Sequence, residues 1–151
     1  MDKSLILELI DAIKVKTVDK KIKWKTISTN LDIYSSSNRK LRNYIIENSD
    51  YGNLYNNKKD IDLDLDKSYF AAYKDGYIYL FSCKSYEYGD FVSLVLQSED
   101  SDDLHQINEI DINNDYNYDI LVKLSALMIC ISHEVKNIEN YVNTIINSSD
   151  E

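Results

Sequence analysis

Ser68 to Ser98 reads SYFAAYKDGYIYLFSCKSYEYGDFVSLVLQS. Three runs of aromatic and aliphatic residues are separated by two turn signals, Asp75-Gly76 and Tyr88-Gly89-Asp90. Aromatic and β-branched side chains suit a pleated surface, and Asp-Gly tolerates the positive φ of a two-residue hairpin. The stretch predicts three antiparallel strands. In the middle one Tyr77, Tyr79 and Phe81 share one face and Ile78, Leu80 and Ser82 the other. In the third, Phe91, Ser93, Val95 and Gln97 alternate with Val92, Leu94 and Leu96. Both faces are largely apolar, so each needs a cover, from helices of this chain or from another protein.

Upstream, Asp60 to Asp66 (DIDLDLD) alternates strictly, with Ile61, Leu63 and Leu65 opposite the four aspartates. Lys21 to Ser28 alternates in the same way: Ile22, Trp24 and Thr26 against Lys21, Lys23 and Lys25. Opposite charges facing each other across strands contribute roughly 0.2–1 kcal/mol per pair, so the lysine strand is expected beside the aspartate strand. A shared Ca²⁺ on the aspartates fits less well, because same-face residues lie about 7 Å apart along a strand. Residues 2–18 predict an amphipathic helix with Leu5, Ile6, Leu9, Ile10 and Ile13 as its apolar stripe and Asp2 or Ser4 as its cap. Between these elements, Arg39 to Asn48 predicts a short helix with Leu41, Tyr44 and Ile45 inward and Ile46 at the border of that stripe, and residues 50–59 a loop.

Downstream, Glu99 to Tyr118 is an acidic, Asn-rich connection with room for a strand at Gln106 to Ile112. Residues 119–133 predict an apolar helix (Ile120, Leu121, Leu124, Leu127, Met128, Ile131), and Asn137 to Asn147 a second, with Ile138, Tyr141 or Val142, Ile145 and Ile146 inward. The expected architecture is one α+β domain over residues 1–151. Its antiparallel sheet has four to five strands, packed by an N-terminal helix and a C-terminal helical pair.

Charge is uneven. Residues 1–59 hold 12 Lys and Arg against 7 Asp and Glu, a net of +5; residues 60–151 hold 5 against 19, a net of −14. The chain as a whole carries −9. Such a surface repels phosphate backbones and anionic membranes and steers encounters with basic protein surfaces. Direct nucleic-acid or membrane binding is therefore not expected. The +5 and −14 segments can also complement each other, within one chain or between copies as a homo-oligomer. Without a secretory signal or an apolar run of membrane length, the chain reads as a cytoplasmic protein.

The chemical motifs each fail at a defining position. His133-Glu134 opens a zinc-protease helix motif, but the second histidine would stand at Asn137. Asp111 to Tyr116 opens like a calcium loop, but Tyr116 replaces the glycine and Val122 the bidentate glutamate. A nucleophile would need Cys83 or Cys130 beside His105 or His133, but the surroundings of such a pair are absent, and Cys130 falls in an apolar run that holds its thiol protonated. No glycine loop for phosphate is present. No enzyme activity, cofactor or metal is expected.

What remains is a surface for recognition. The acidic candidates are Glu99, Asp100, Asp102, Asp103, Glu109, Asp111 and Asp115. The aromatic candidates are Tyr77, Tyr79, Tyr86 and Tyr88, part of a chain with 13 tyrosines. The plainer reading is that half of the strand tyrosines pack in the core. The expected function is a small acidic inhibitor or antagonist, of the immunity type or of a phage-encoded anti-defence type, that binds a protein target. The alternative is a small-ligand or nucleotide-sequestering protein, with Arg39 or Arg42 and nearby lysines on the phosphate.

Overall fold

A computed structural model describes residues 2–30, 39–47, 61–85, 89–99, 103–107 and 118–148. In chain order these form α1 (Lys3–Val18), β1 (Lys25–Thr26), α2 (Arg39–Glu47), β2 (Ile61–Tyr73), β3 (Gly76–Ser85), β4 (Phe91–Ser98), β5 (Leu104–Gln106) and α3 (Tyr118–Asn147). The strands make one antiparallel sheet in sequence order, β1-β2-β3-β4-β5. The expected α+β class holds, and the sheet has five strands where four to five were expected. The expected loop at 50–59 lies outside the described residues.

Both faces of the sheet are covered. On one, Tyr69, Ala71, Ile78, Leu80, Val92 and Leu94 pack against Ile6, Ile10 and Ile13 of α1 and Ile120, Leu124, Leu127, Ile131 and Val135 of α3. On the other, Phe70, Tyr79, Phe81, Cys83 and Val95 pack against Ile27 and against Leu41 and Ile45 of α2. Alternation along β3 therefore feeds two cores at once, as the sequence pattern requires. The inward residues expected for α2 are the ones buried, with Tyr44 half-buried over Phe81.

The start of α1 is capped by Asp2, whose carboxylate accepts the Leu5 N–H at 2.8 Å. Its buried stripe is Ile6, Ile10, Ile13 and Thr17, while Leu5 is half exposed. The helix ends where Lys20 takes φ 61°. The Lys20 and Lys21 amides then donate back to the Thr17 and Lys16 carbonyls, a Schellman closure with lysine at the left-handed position. The reversal tucks Trp24 under α1. Its indole N–H donates to the Thr17 hydroxyl at 3.0 Å, and that hydroxyl donates to the Ile13 carbonyl at 2.8 Å.

Four local readings need correction. First, the lysine strand does neighbour β2, but Lys25 stands opposite Phe70 and Thr26 opposite Tyr69, beyond the aspartates. Asp62 stands opposite Lys84 of β3, and Asp64 makes an ion pair with Lys84 at 3.5 Å. The antiparallel register carries the earlier lysines further from the aspartates, and a bulge lies between Asp64 and Tyr69. The Ser68 hydroxyl plugs it, donating to the Asp64 carbonyl and accepting the Ser82 N–H. The bulge swaps faces, so Leu63 and Leu65 before it join the same core as Phe70 after it.

Second, the first hairpin turn is Lys74-Asp75, with Lys74 at φ 52° and Gly76 already paired in β3. Gly76 is needed for space: a Cβ there would lie 2.6 Å from the Gln97 carbonyl oxygen. In the second turn Gly89 does take a positive φ, 80°. Third, the strand expected at 106–112 forms earlier, at Leu104–Gln106; residues 108–112 lie outside the described set. Fourth, the expected C-terminal helical pair is one helix of 30 residues. Ser132 to Asn137 contains polar residues but no glycine or proline, and Val135 is buried on the stripe of Ile131, so nothing breaks the helix there. No helix among the described residues is long and apolar enough to cross a membrane.

Candidate interaction surfaces

With both sheet faces closed, the surfaces left for recognition among the described residues are the rim of the sheet and the outer parts of the helices. The tyrosines divide accordingly. Tyr79, expected on a recognition face, has no exposed surface. Its hydroxyl donates to Gln97 Oε1 at 2.5 Å, and its ring stacks between Tyr77 and Phe81. Tyr77 is half-buried at the start of β3. Tyr86 and Tyr88 lie outside the described residues.

Of the acidic candidates, Glu99 and Asp103 are described and exposed, and Asp100, Asp102, Glu109, Asp111 and Asp115 are not described. The Glu99 N–H donates to the Asp75 carbonyl at 2.9 Å, which ties the end of β4 to the tip of the first hairpin. Asp75 and Glu99 thus share one exposed corner, with Tyr77 beside them on β3. Asp75 was not among the sequence candidates, because its place beside Glu99 follows from the strand register rather than from charge pattern. Asp103 is bound by Lys40 of α2, whose hydrogen bond and charge hold its carboxyl below the usual range.

A second surface is apolar. Every described residue of α3 from Lys136 to Ser148 is exposed, and Ile138, Tyr141, Val142, Ile145 and Ile146 are 45–71 % accessible. At the root of this segment a groove of about 460 Å³ is lined by Ile22, Trp24, Val135, Ile138 and Tyr141 together with Lys20, Lys23 and Glu134. The sequence expectation placed these α3 side chains inward; the helix instead carries them past the body.

A third feature is a cleft of about 510 Å³ between α3 and the bulged part of β2. Lys67, His133 and Lys136 line it with Asp66, Tyr69, Ser82 and Ser132. Arg39 and Arg42 do not reach it: they are exposed on α2, which covers the other face of the sheet.

The thiols differ in setting. Cys83 is buried, and desolvation pushes its pKa up to about 12. Burial, then the neighbouring Cys83, push the Tyr44 phenol up to about 12 as well, with Ser93 pulling weakly the other way. At neutral pH the Cys83 sulfur is a protonated core atom rather than a nucleophile. Cys130, half-buried on α3, is also unpaired with another cysteine. No family model matches this chain, and no curated protein or solved structure matches it either.

Proposed function

We propose that this chain is a non-enzymatic interaction protein, an inhibitor or antagonist of the immunity or phage-encoded anti-defence type, that binds a basic surface on a protein target. The observation that carries the reading is the charge distribution: a net of −14 over residues 60–151, with the acidic connection after β4 springing from the exposed Asp75–Glu99 corner. A rim built this way, on a sheet whose faces are already filled, supports recognition by charge with Tyr77 as an aromatic contact beside it. The Lys40–Asp103 pair ties the start of β5 to α2, and Glu99 stays exposed beside Asp75 to face the target.

The test is capture of partners from a host extract on the immobilised chain at about 50 and about 500 mM salt, since screening shortens the reach of charge between these limits. The proposal expects a partner held at low salt and released at high salt. It fails if no salt-sensitive partner is captured.

A second reading, a protein that sequesters a small anionic ligand or nucleotide, is favoured by the α3–β2 cleft, where Lys67, His133 and Lys136 gather in the acidic part of the chain. Asp66 in the same lining counts against it. A rise in thermal midpoint with nucleoside phosphates, lost in the Lys67→Ala, Lys136→Ala double variant, would promote this reading over the first.

A further inference from the structure

We propose that the distal part of α3, residues 135–147, is a self-association surface that pairs antiparallel with the same segment of a second copy of this chain. The surface is separate from the acidic corner and does not depend on it.

The first argument is continuity. The buried stripe of α3, ending in Ile131 and Val135, continues at helical spacing as Ile138, Val142 and Ile145. Val135, Ile138, Val142 and Ile145 follow the three-four-three spacing of a two-helix seam. In the body this stripe is covered by α1 and the sheet. The ion pairs Lys3–Asp119 and Asp11–Lys123, and the groove that joins Trp24 to Val135, show α1 running alongside α3 in the same sense and stopping there. Beyond it α3 projects about 18 Å with its seam bare.

The second argument is propensity. Asn137, Asn140, Asn143, Thr144 and Asn147 share the projecting segment with β-branched Ile and Val. These are mediocre helix formers, and an isolated helix of this length is marginal in water. A covering helix supplies what local propensity does not.

The third argument is charge. A chain with net −9 resists its own copies, but residues 135–147 hold one lysine and one glutamate and are neutral. An antiparallel pair sets the two acidic bodies at opposite ends of the seam, whereas a parallel pair would place them side by side. It also brings the C-terminal end of each helix over the partner's root groove. There Ile145 meets Val135 and Trp24, and the negative end of the helix dipole meets a lining that holds Lys20 and Lys23 against one carboxylate, Glu134. In this register Ile138 stands opposite Val142. The five exposed apolar side chains amount to roughly 500 Å² per chain, so two copies bury about 1,000 Å², the lower bound of a specific interface.

Sedimentation velocity on the full chain, from low micromolar to near-millimolar concentration, is expected to show a monomer–dimer equilibrium. Ile138→Lys and Ile145→Lys should each abolish it and leave a chain that still unfolds cooperatively with Trp24 buried, because both side chains are exposed, while the thermal midpoint loses its dependence on concentration. In a Cys130→Ser background, a short bis-maleimide should link chains carrying Tyr141→Cys, which lies near the two-fold axis. It should not link chains carrying Asn147→Cys, where the two thiols stand about 21 Å apart along the seam. A monomer at every concentration overturns the proposal, whether or not some other protein binds the segment. Linkage at both positions overturns the antiparallel arrangement.

Discussion

Tyr79 decides whether the central hairpin is scaffold or recognition surface. Its ring is fully buried between Tyr77 and Phe81, and its hydroxyl bonds to Gln97, itself buried on β4. Truncating a buried aromatic ring removes its transfer free energy and leaves a cavity, so Tyr79→Ala is expected to cost about 3–5 kcal/mol. Tyr79→Phe keeps the ring and deletes one donor to Gln97, leaving a buried acceptor short of a partner, at about 1–3 kcal/mol. Tyr77→Ala, half-buried at the end of the same row, should cost about 1 kcal/mol. Urea unfolding followed by the fluorescence of Trp24 provides the readout, because Trp24 is the one tryptophan and lies in the opposite core. A shift below about 1 kcal/mol for Tyr79→Ala would refute the two-sided core and return this residue to a binding surface.

Gly76→Ala should destabilise by about 1–3 kcal/mol, because the added methyl meets the Gln97 carbonyl and the backbone must move; stabilisation in urea melts would mean that β3 and β4 are less close than described. Thr17→Val deletes the acceptor for the Trp24 indole and should cost about 1–3 kcal/mol, with the Trp24 emission maximum moving as the ring loosens. Cys83 has a folded pKa raised from 9.0 to about 12, so the unfolded chain releases its proton first and stability falls as pH rises through 9 toward 12. Between pH 8 and 10 the thiol should account for about 1.4 kcal/mol of that loss. Cys83→Ala should flatten the pH slope by this amount in paired urea melts, and an unchanged slope would show that Cys83 is not desolvated.

Alternation and helical spacing made much of this fold legible. They identified α1, the covered faces of β3 and β4, the inward side of Ile22 and Trp24 and the inward Leu41 and Ile45 of α2. Three features escaped for physical reasons. The bulge at Asp64–Tyr69 depends on one serine hydroxyl satisfying two backbone groups, and strict alternation in DIDLDLD gives no sign of the face change that follows. Lys84 reaches the aspartates from the adjacent strand, so matching charged strands by pattern alone chose the wrong lysines. The polar run at Ser132 to Asn137 resembles a break, but polar residues on the outer side of a helix do not end it, and only α1 stopping short leaves the apolar residues beyond it bare. At the candidate site, Glu99 was legible from charge. Asp75 was not, because its place beside Glu99 depends on the hairpin register.

The central claim is that the sheet is scaffold and that target recognition is made by the acidic rim. Its most direct test is the affinity of a captured target for the wild-type chain and for the Asp75→Lys, Glu99→Lys variant across a salt series. The account predicts weaker binding with rising salt, and a further loss on charge reversal with the thermal midpoint unchanged, since both residues are exposed. Affinity indifferent to both salt and charge reversal would contradict it.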